Sequence, residues 1–469
     1  MPTGGPGTPR DLDMNTLPAD TLPRLLHHRA RTHADAPAVV HADAPALDFA
    51  GLAARVTDRA RTLQADGIAP GDWVALRTRT DLQGLVDLLA VPAAGACLLP
   101  IHPRMPATPL DTLLRAQAIP WILAEPGATV TATGYGSGGR PPRAEGLHAP
   151  CTGVLTSGST GHPKVAVHSH GNHLYSALGA NAVNPLGPGD RYLLSLPTFH
   201  VGGLTILVRC LLGGAALVLG GRAEDAAFLE RMGVTHVSMV ETQLQRLLAG
   251  ETLPSGLRTV LLGGGPVRPH LLEEARHRGL SCWMSYGLTE MTAQVVTHDP
   301  HGRGRILPHR ECRVDANGEI LVRGDTLFLG YLEDGAIRPA TDTQGWFHTR
   351  DLGHWEDGRL HITGRADNQF ISGGENIQPE AVEAVLHRHP RILRAVVVPR
   401  PDAEFGQRPV AFLETDGRVD EPSLRDWLRE HLPPYMVPVA FLELEPTPDL
   451  KVRRGELARR AAAGHREAP

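Results

Sequence analysis

Short apolar runs bounded by Gly, Pro or Asp recur through the first three quarters of the chain, with helical spacing between them. Trp73–Arg77 reads as a strand after the turn Pro70-Gly71-Asp72, and Tyr192–Leu196, Ala215–Leu219, His236–Val240 and Thr259–Leu262 are runs of the same kind. Leu47–Gly67 has helical periodicity, and Asp81 is placed to cap a helix running toward Ala90. This alternation predicts an α/β architecture with largely parallel sheets. From Glu319 the texture changes to hairpins. Glu319–Arg323 ends at Gly324-Asp325, and Asp357-Gly358 is a turn between His354-Trp355 and Leu360–Thr363. After Asp367 comes a separate α+β pattern: helices at Pro379–His387 and Pro422–His431, strands at Ala395–Pro399 and Val410–Glu414. The predicted organisation is a large N-terminal domain of packed mixed sheets and helices over 1–366, with 1–15 a frayed tail. A small mobile α+β lid follows over 367–469, and the active site is expected between the two.

Composition excludes several classes. The net charge of −5 over 469 residues gives no basic field for nucleic acid. The five cysteines form no CxxC pair, so neither a zinc site nor a disulfide framework is indicated, and a reducing compartment fits. Met1–Asp13 lacks the apolar core of a signal peptide. Val201–Gly221 is long enough for a membrane span, but Arg209 sits at its centre and glycines interrupt it, so a buried helix followed by a strand is expected. These readings place the protein in the cytoplasm. They leave a homo-oligomer open.

Of the 46 Lys+Arg residues only Lys164 and Lys451 are lysine. A compact ammonium and a planar guanidinium are not interchangeable, so these two positions are candidates for chemistry that arginine does not serve. Lys164 closes the segment Thr156-Ser157-Gly158-Ser159-Thr160-Gly161-His162-Pro163-Lys164, which follows the apolar run Gly153–Leu155. Glycines let backbone N–H groups approach an anion, hydroxyls add donors, and the lysine adds a movable cation. The composition is that of a phosphate cradle, although GxxxxGK[ST] cannot be threaded through it. The structural alternative is a flexible polar turn.

Thr156–Lys164 resembles the signature loop of the adenylate-forming superfamily, which includes the acyl-CoA synthetases. Other segments resemble the family's motifs in the expected order. They are the adenine-side strand Gly263-Gly264-Gly265-Pro266, the segment Ser285-Tyr286-Gly287-Leu288-Thr289-Glu290, the ribose motif Gly345–Asp351, the hinge Gly364-Arg365-Ala366-Asp367, and the loop Ser372-Gly373-Gly374-Glu375-Asn376-Ile377.

The resemblance implies ATP, Mg²⁺ and CoA, and a reaction in two halves. A carboxylate attacks the α-phosphate to give an acyl-adenylate and pyrophosphate; a thiol then displaces AMP. It implies that Thr156, Ser157, Gly158, Ser159, Thr160, Gly161 and Lys164 hold the β- and γ-phosphates, and that Thr289 and Glu290 address the α-phosphate and the metal. Tyr286, beside Gly287, would stack on adenine, Asp351 and Arg365 would bind the ribose, and Asp367 would be the pivot. Lys451 would reach the α-phosphate during adenylation, although Leu450 stands where the family has glycine. Ser372, Gly373 and Gly374 would line the CoA tunnel. Bland alternatives are an ion pair of Asp351 with Arg350 and a helix-start role for Glu290.

Ser372–Glu380, Ala403–Val410 and Met239–Leu248 resemble the o-succinylbenzoate–CoA ligases of menaquinone synthesis. That acid keeps a second carboxylate, for which Arg209 is the candidate cation, with His200 in the acyl pocket. Gly202 replaces a serine of the family's Phe-His-Val-Ser-Gly run. The structural alternative for Arg209 is an internal pairing. Other functions to weigh are another aryl- or short dicarboxylic acyl-CoA synthetase, an adenylating enzyme that loads a carrier protein in trans, and an inactive nucleotide-binding regulator.

Overall fold

The computed structural model describes residues 18–135, 145–156, 164–265, 267–445 and 454–463. These divide into two compact units. One holds 18–156, 164–312 and 322–347; the other holds 313–321 and 348–463.

The first unit contains a nine-stranded and an eight-stranded sheet. Six adjacent strands of the larger sheet run parallel: Pro37–His41, Ala216–Leu219, Arg191–Leu193, His236–Met239, Thr259–Leu262 and Cys282–Leu288. Antiparallel strands finish both edges. Buried on both faces, the inner strands carry the continuous apolar runs visible in the sequence. On one face Val237, Val260 and Leu262 pack against Phe228, Leu244 and Leu271 of three helices. On the other, Val39 and Leu217 share a core with Phe49, Leu52, Leu88, Leu204 and Leu207, and that core also takes in Val74, Leu76, Leu98 and Val154 of the eight-stranded sheet. The helices are therefore sandwiched between the two sheets.

Asp81 caps the helix Leu82–Ala93 through a 2.8 Å bond from the Gly84 N–H to its carboxylate. The Val201–Gly221 stretch is a buried helix, Val201–Gly213, followed by the strand Ala216–Leu219; Gly214 turns between them at φ +75°. Among the described residues no helix is long and apolar enough to cross a membrane.

The eight-stranded sheet departs from the expected parallel order. Pro150–Thr156 and Lys164–Ser169 are antiparallel neighbours, with Thr156 opposite Lys164. The candidate phosphate segment therefore links two adjacent strands and does not lead into a helix. Lys164–Ser169 pairs on its other side with Gly330–Glu333.

The strand Phe347–Glu356, which lies in the second unit from His348 onward, and the strand Arg359–Arg365 form the hairpin expected from Asp357-Gly358, and both turn residues have positive φ. Farther along, Ile392–Asp402, Gly406–Thr415 and Ala440–Glu443 form a three-stranded sheet. Its alternation is strict: Ala395, Val397, Ala411 and Leu413 face the helices Pro379–Leu386 and Glu421–Arg429, while Val396, Val398, Val410 and Phe412 face Leu457 and Ala461 of the helix Arg454–Ala463.

Cys97, Cys151, Cys210 and Cys282 are buried and Cys312 is half-buried. Burial pushes the thiols of Cys97, Cys210, Cys282 and Cys312 up to about 12, and that of Cys151 well above its ordinary value.

Candidate active site

The Thr259–Leu262 and Cys282–Leu288 strands lie side by side and parallel, and both point their C-terminal ends the same way. Gly263-Gly264-Gly265 leaves the first and Tyr286–Glu290 completes the second. Ligands of open α/β sheets gather at such ends. Gly264 has φ +85°, which favours glycine, and a Cβ on Gly265 would meet nothing within 4 Å. Gly287 is required for a different reason: a Cβ there would stand 2.0 Å from the Ala293 carbonyl oxygen across the sheet.

Beyond Gly287 the chain makes a 3-10 turn, Thr289–Met291, then a corner in which Thr292 and Ala293 have φ of +52° and +87°. Two successive L-residues in the left-handed region are costly, and such strain persists only where surroundings hold it. Here the anchors are visible. The Thr292 hydroxyl donates to the Thr326 carbonyl at 2.8 Å. Arg310, buried, donates to the Pro308 carbonyl at 2.8 Å and to the Ser176 carbonyl and hydroxyl at 3.1 and 3.0 Å; its guanidinium also bonds the Gln294 carbonyl. Burial lowers that guanidinium to about 9.

The turn carrying Thr289 and Glu290 is gripped from the eight-stranded sheet. His168 Nε2 lies 2.7 Å from the Thr289 carbonyl oxygen. A carbonyl only accepts, so Nε2 carries the proton. Burial, partly offset by that bond, holds the His168 imidazole down at about 4, which keeps it neutral. The Phe328 N–H donates to the Glu290 carbonyl at 2.8 Å, and the Tyr331 hydroxyl donates to Glu290 Oε1 at 2.8 Å. Lys164 Nζ stands 4.8 Å from the centroid of the same Tyr331 ring. The structure thus brings together Lys164, Tyr331 and the Glu290 carboxylate. Among the described residues neither Lys164 nor Glu290 has an ion-pair partner. His168 and Tyr331 were missed in the sequence. Each sits in an ordinary strand, and only pairing of remote segments shows its role.

In the second unit Asp351 and Arg365 are cross-strand partners in the hairpin. Arg365 Nη1 lies 2.6 Å from Asp351, while its Nε and Nη2 lie 3.0 and 3.2 Å from the two oxygens of Asp367. The ion pair of Asp351 is therefore with Arg365 and not with Arg350, whose backbone takes φ +63°. The hairpin register puts Arg365 directly opposite Asp351.

Ser372-Gly373-Gly374-Glu375 is a β-hairpin turn: Ser372 pairs with Glu375, and the two central glycines have φ of +59° and +88°. That geometry is the type I′ turn, which alone accounts for both glycines. Ser372 is 2% exposed, and its hydroxyl has no hydrogen-bond partner among the described residues. Gly373 is also pressed against Phe405, whose ring would meet a Cβ at 2.8 Å.

His200 is exposed at the start of the Val201–Gly213 helix. Arg209 lies about 13 Å farther along that helix. It is 1% exposed. Its Nε donates to Asn181 Oδ1 at 2.8 Å and its Nη2 to the Asn184 carbonyl at 2.9 Å; Nη1 is 3.4 Å from the Tyr192 hydroxyl. The guanidinium is packed internally, as the structural alternative requires. Every partner is neutral, however, and no carboxylate among the described residues is within ion-pair distance. Ser157, Gly158, Ser159, Thr160, Gly161, Pro266 and Lys451 lie outside the described residues.

A family model described as AMP-binding enzyme matches residues 26–332, and one described as AMP-binding enzyme C-terminal domain matches 381–449. The chain belongs to the AMP-binding, adenylate-forming family. Within that family it is 38% identical to the 2-succinylbenzoate–CoA ligase of Salmonella typhimurium over 89% of this chain and 92% of that protein. A solved structure of an E. coli MenE variant with bound OSB-AMS superposes with a TM-score of 0.82 at 34% identity, covering 94% of this chain and 98% of the other. The o-succinylbenzoate CoA synthetase of Bacillus subtilis, solved in complex with ATP and magnesium ion, gives 0.81 at 29% identity over 92% and 98%.

The family's use of ATP and Mg²⁺ agrees with the residues present. Glu290 offers a carboxylate that a hydroxyl orients and that, among the described residues, no cation pairs with. Among the described residues no group of three or more His, Cys, Asp or Glu could hold a metal. One carboxylate completed by phosphate oxygens and water is the arrangement Mg²⁺ favours.

Proposed function

We propose that the chain is an ATP-dependent acid–thiol ligase that activates o-succinylbenzoate and transfers its acyl group to CoA, in menaquinone synthesis. A carboxylate oxygen of the acid attacks the α-phosphorus of ATP, and the bond to the pyrophosphate oxygen breaks. The thiol sulfur of CoA then attacks the acyl carbonyl carbon, and the bond to AMP breaks. Phosphoryl transfer of this kind asks the protein chiefly for positioning and charge neutralisation. The observation that carries the reading is the convergence of Lys164 and Glu290 on Tyr331, the lysine at its ring and the glutamate at its hydroxyl. It sets one cation and one carboxylate against a single side chain, which supports a phosphate and a metal being held there.

Lys164, with Thr156, Ser157, Gly158, Ser159, Thr160 and Gly161, steadies the β- and γ-phosphates. Thr289 addresses the α-phosphate. Mg²⁺, held by Glu290, supplies further neutralisation of phosphate charge. Gly263-Gly264-Gly265-Pro266 and Tyr286 flank the adenine, and Asp351 with Arg365 takes the ribose hydroxyls. Lys451 serves adenylation alone. Asp367 is the pivot about which the residues after 366 turn between the half-reactions, bringing Ser372, Gly373 and Gly374 to the CoA thiol arm. Arg209 supplies the charge for the second carboxylate of the acid: a buried cation whose partners among the described residues are all neutral is completed by an anionic substrate. The chemistry is cytoplasmic, where ATP and CoA are available.

The test is AMP release by the purified protein with ATP and Mg²⁺, across a panel of carboxylic acids and thiol acceptors. The expected result is release that requires o-succinylbenzoate and free CoA together. Preference for a different acid, or for a carrier protein over CoA, would overturn the assignment.

A further inference from the structure

We propose that Tyr331 is a positioning residue that joins the phosphate-holding lysine and the magnesium-holding glutamate into one unit. Its hydroxyl sets the metal site and its ring sets the cation. The inference rests on the roles given to Lys164 and Glu290 under the proposed function.

Three observations carry it. The Tyr331 hydroxyl donates to a carboxylate oxygen at 2.8 Å, which fixes the Glu290 carboxylate while leaving it anionic. The Lys164 ammonium stands 4.8 Å from the ring centroid, within the range in which a ring face attracts a cation. The backbone under both contacts is fixed. Tyr331 is registered opposite Ala166, and Lys164 lies two residues before Ala166, on the same face of its strand. The Phe328 N–H holds the Glu290 carbonyl, and the Phe328 ring meets the Tyr331 ring edge-on at 4.9 Å. A tyrosine needed only for packing would not require its hydroxyl on the one carboxylate proposed to bind metal.

The two halves of the side chain are separable by mutation. Tyr331→Phe removes the hydroxyl and keeps the ring; Tyr331→Leu removes both. Binding of the non-hydrolysable analogue α,β-methylene-ATP is measured by calorimetry across a Mg²⁺ series, in wild type, both variants and Glu290→Gln. For Tyr331→Phe the Mg²⁺ concentration at half-maximal binding is expected to rise roughly fivefold to tenfold, with affinity at saturating Mg²⁺ changed less than about twofold. For Tyr331→Leu a further loss of roughly threefold to tenfold is expected at saturating Mg²⁺. Thioester formation from supplied acyl-adenylate, which needs neither pyrophosphate nor its metal, stays near wild type in both. If Glu290→Gln shifts the Mg²⁺ dependence and Tyr331→Phe does not, the inference about Tyr331 is wrong and the reading of Glu290 stands. If Glu290→Gln shifts nothing, both fall. Equal slowing of the two half-reactions by Tyr331→Phe reduces the residue to a packing role and also overturns the inference.

Discussion

Arg454 and Glu383, seventy-one positions apart, meet through paired bonds of 2.6 and 2.7 Å. The Val397 N–H adds a 2.6 Å bond to Glu383 Oε1, Arg454 Nη1 donates to the Val397 carbonyl at 2.8 Å, and Glu380 lies 3.4 Å from Arg454 Nη2. The two partners gain unequally. Burial raises the Glu383 carboxyl despite the opposing pull of Arg454, whereas for Arg454 burial is outweighed by its bonds to Glu383 and the guanidinium is raised. The pair as a whole is therefore worth little, but Glu383 without Arg454 is a buried carboxylate with no cation among the described residues, whereas Arg454 without Glu383 keeps Glu380. Arg454→Met, which strands the buried Glu383 carboxylate, is expected to cost about 3–5 kcal/mol in urea unfolding of the full chain. The double variant Glu383→Leu with Arg454→Met should recover most of that loss. Costs that simply add would show that the two residues act independently.

Arg454 follows Lys451 by three residues, so this pair anchors one end of the segment carrying the lysine. Lys451→Ala is expected to slow adenylation by roughly a hundredfold or more, as loss of one aimed charge at a developing oxyanion does. Thioester formation from supplied acyl-adenylate should hold within about threefold. Single-turnover measurement of each half checks the split, and equal losses would remove the lysine from its assigned step.

Arg209→Ala is expected to weaken use of o-succinylbenzoate by roughly a hundredfold in kcat/KM, the scale of a charge-assisted bond lost in a dry site. A monocarboxylic analogue should lose far less. Because Arg209 also holds Asn181 and Asn184, some stability will go with it, and that loss falls on both acids alike. The ratio between acids is the informative number, and an unchanged ratio assigns the second carboxylate elsewhere.

Stability should depend on pH through the buried histidines. Burial lowers His168 and His170 to about 4, against 6.5 in the unfolded chain. Between those values the unfolded state binds the extra protons, so their contribution is complete above pH 6.5 and declines as pH falls toward 4. The slope is about 1.4 kcal/mol per pH unit for each histidine. His168→Gln keeps a donor for the Thr289 carbonyl and removes one titration. Urea unfolding from pH 4.5 to 7.5 should give a gradient shallower by one proton; an unchanged gradient would show that His168 does not contribute.

Local signals made much of this architecture legible. Thr259–Leu262 and Glu319–Arg323 read correctly because burial on both faces leaves unbroken apolar runs, and Asp81 because capping needs a side-chain oxygen at one position. The antiparallel placement of Lys164–Ser169 was not legible, since register depends on a partner strand far away in sequence. For the same reason Arg365, rather than adjacent Arg350, was hidden as the partner of Asp351, and Tyr331 gave no sign of its hydroxyl contact. Gly373 and Gly374 meet the demand of a two-residue turn, which their spacing alone does not separate from a role in ligand access. Arg209 stood out as one charge in an apolar helix, yet its asparagine partners lie on other segments.

The interior placement of the cysteines has a consequence for the second half of the reaction. Sulfur chemistry with CoA proceeds beside a protein whose own sulfur is protonated at any physiological pH, four of its five thiols being pushed up to about 12 and that of Cys151 well above its ordinary value. Only a thiolate exchanges with disulfides or captures an activated acyl group. Buried or half-buried and held protonated, these thiols are weak nucleophiles toward oxidised CoA and toward the adenylate.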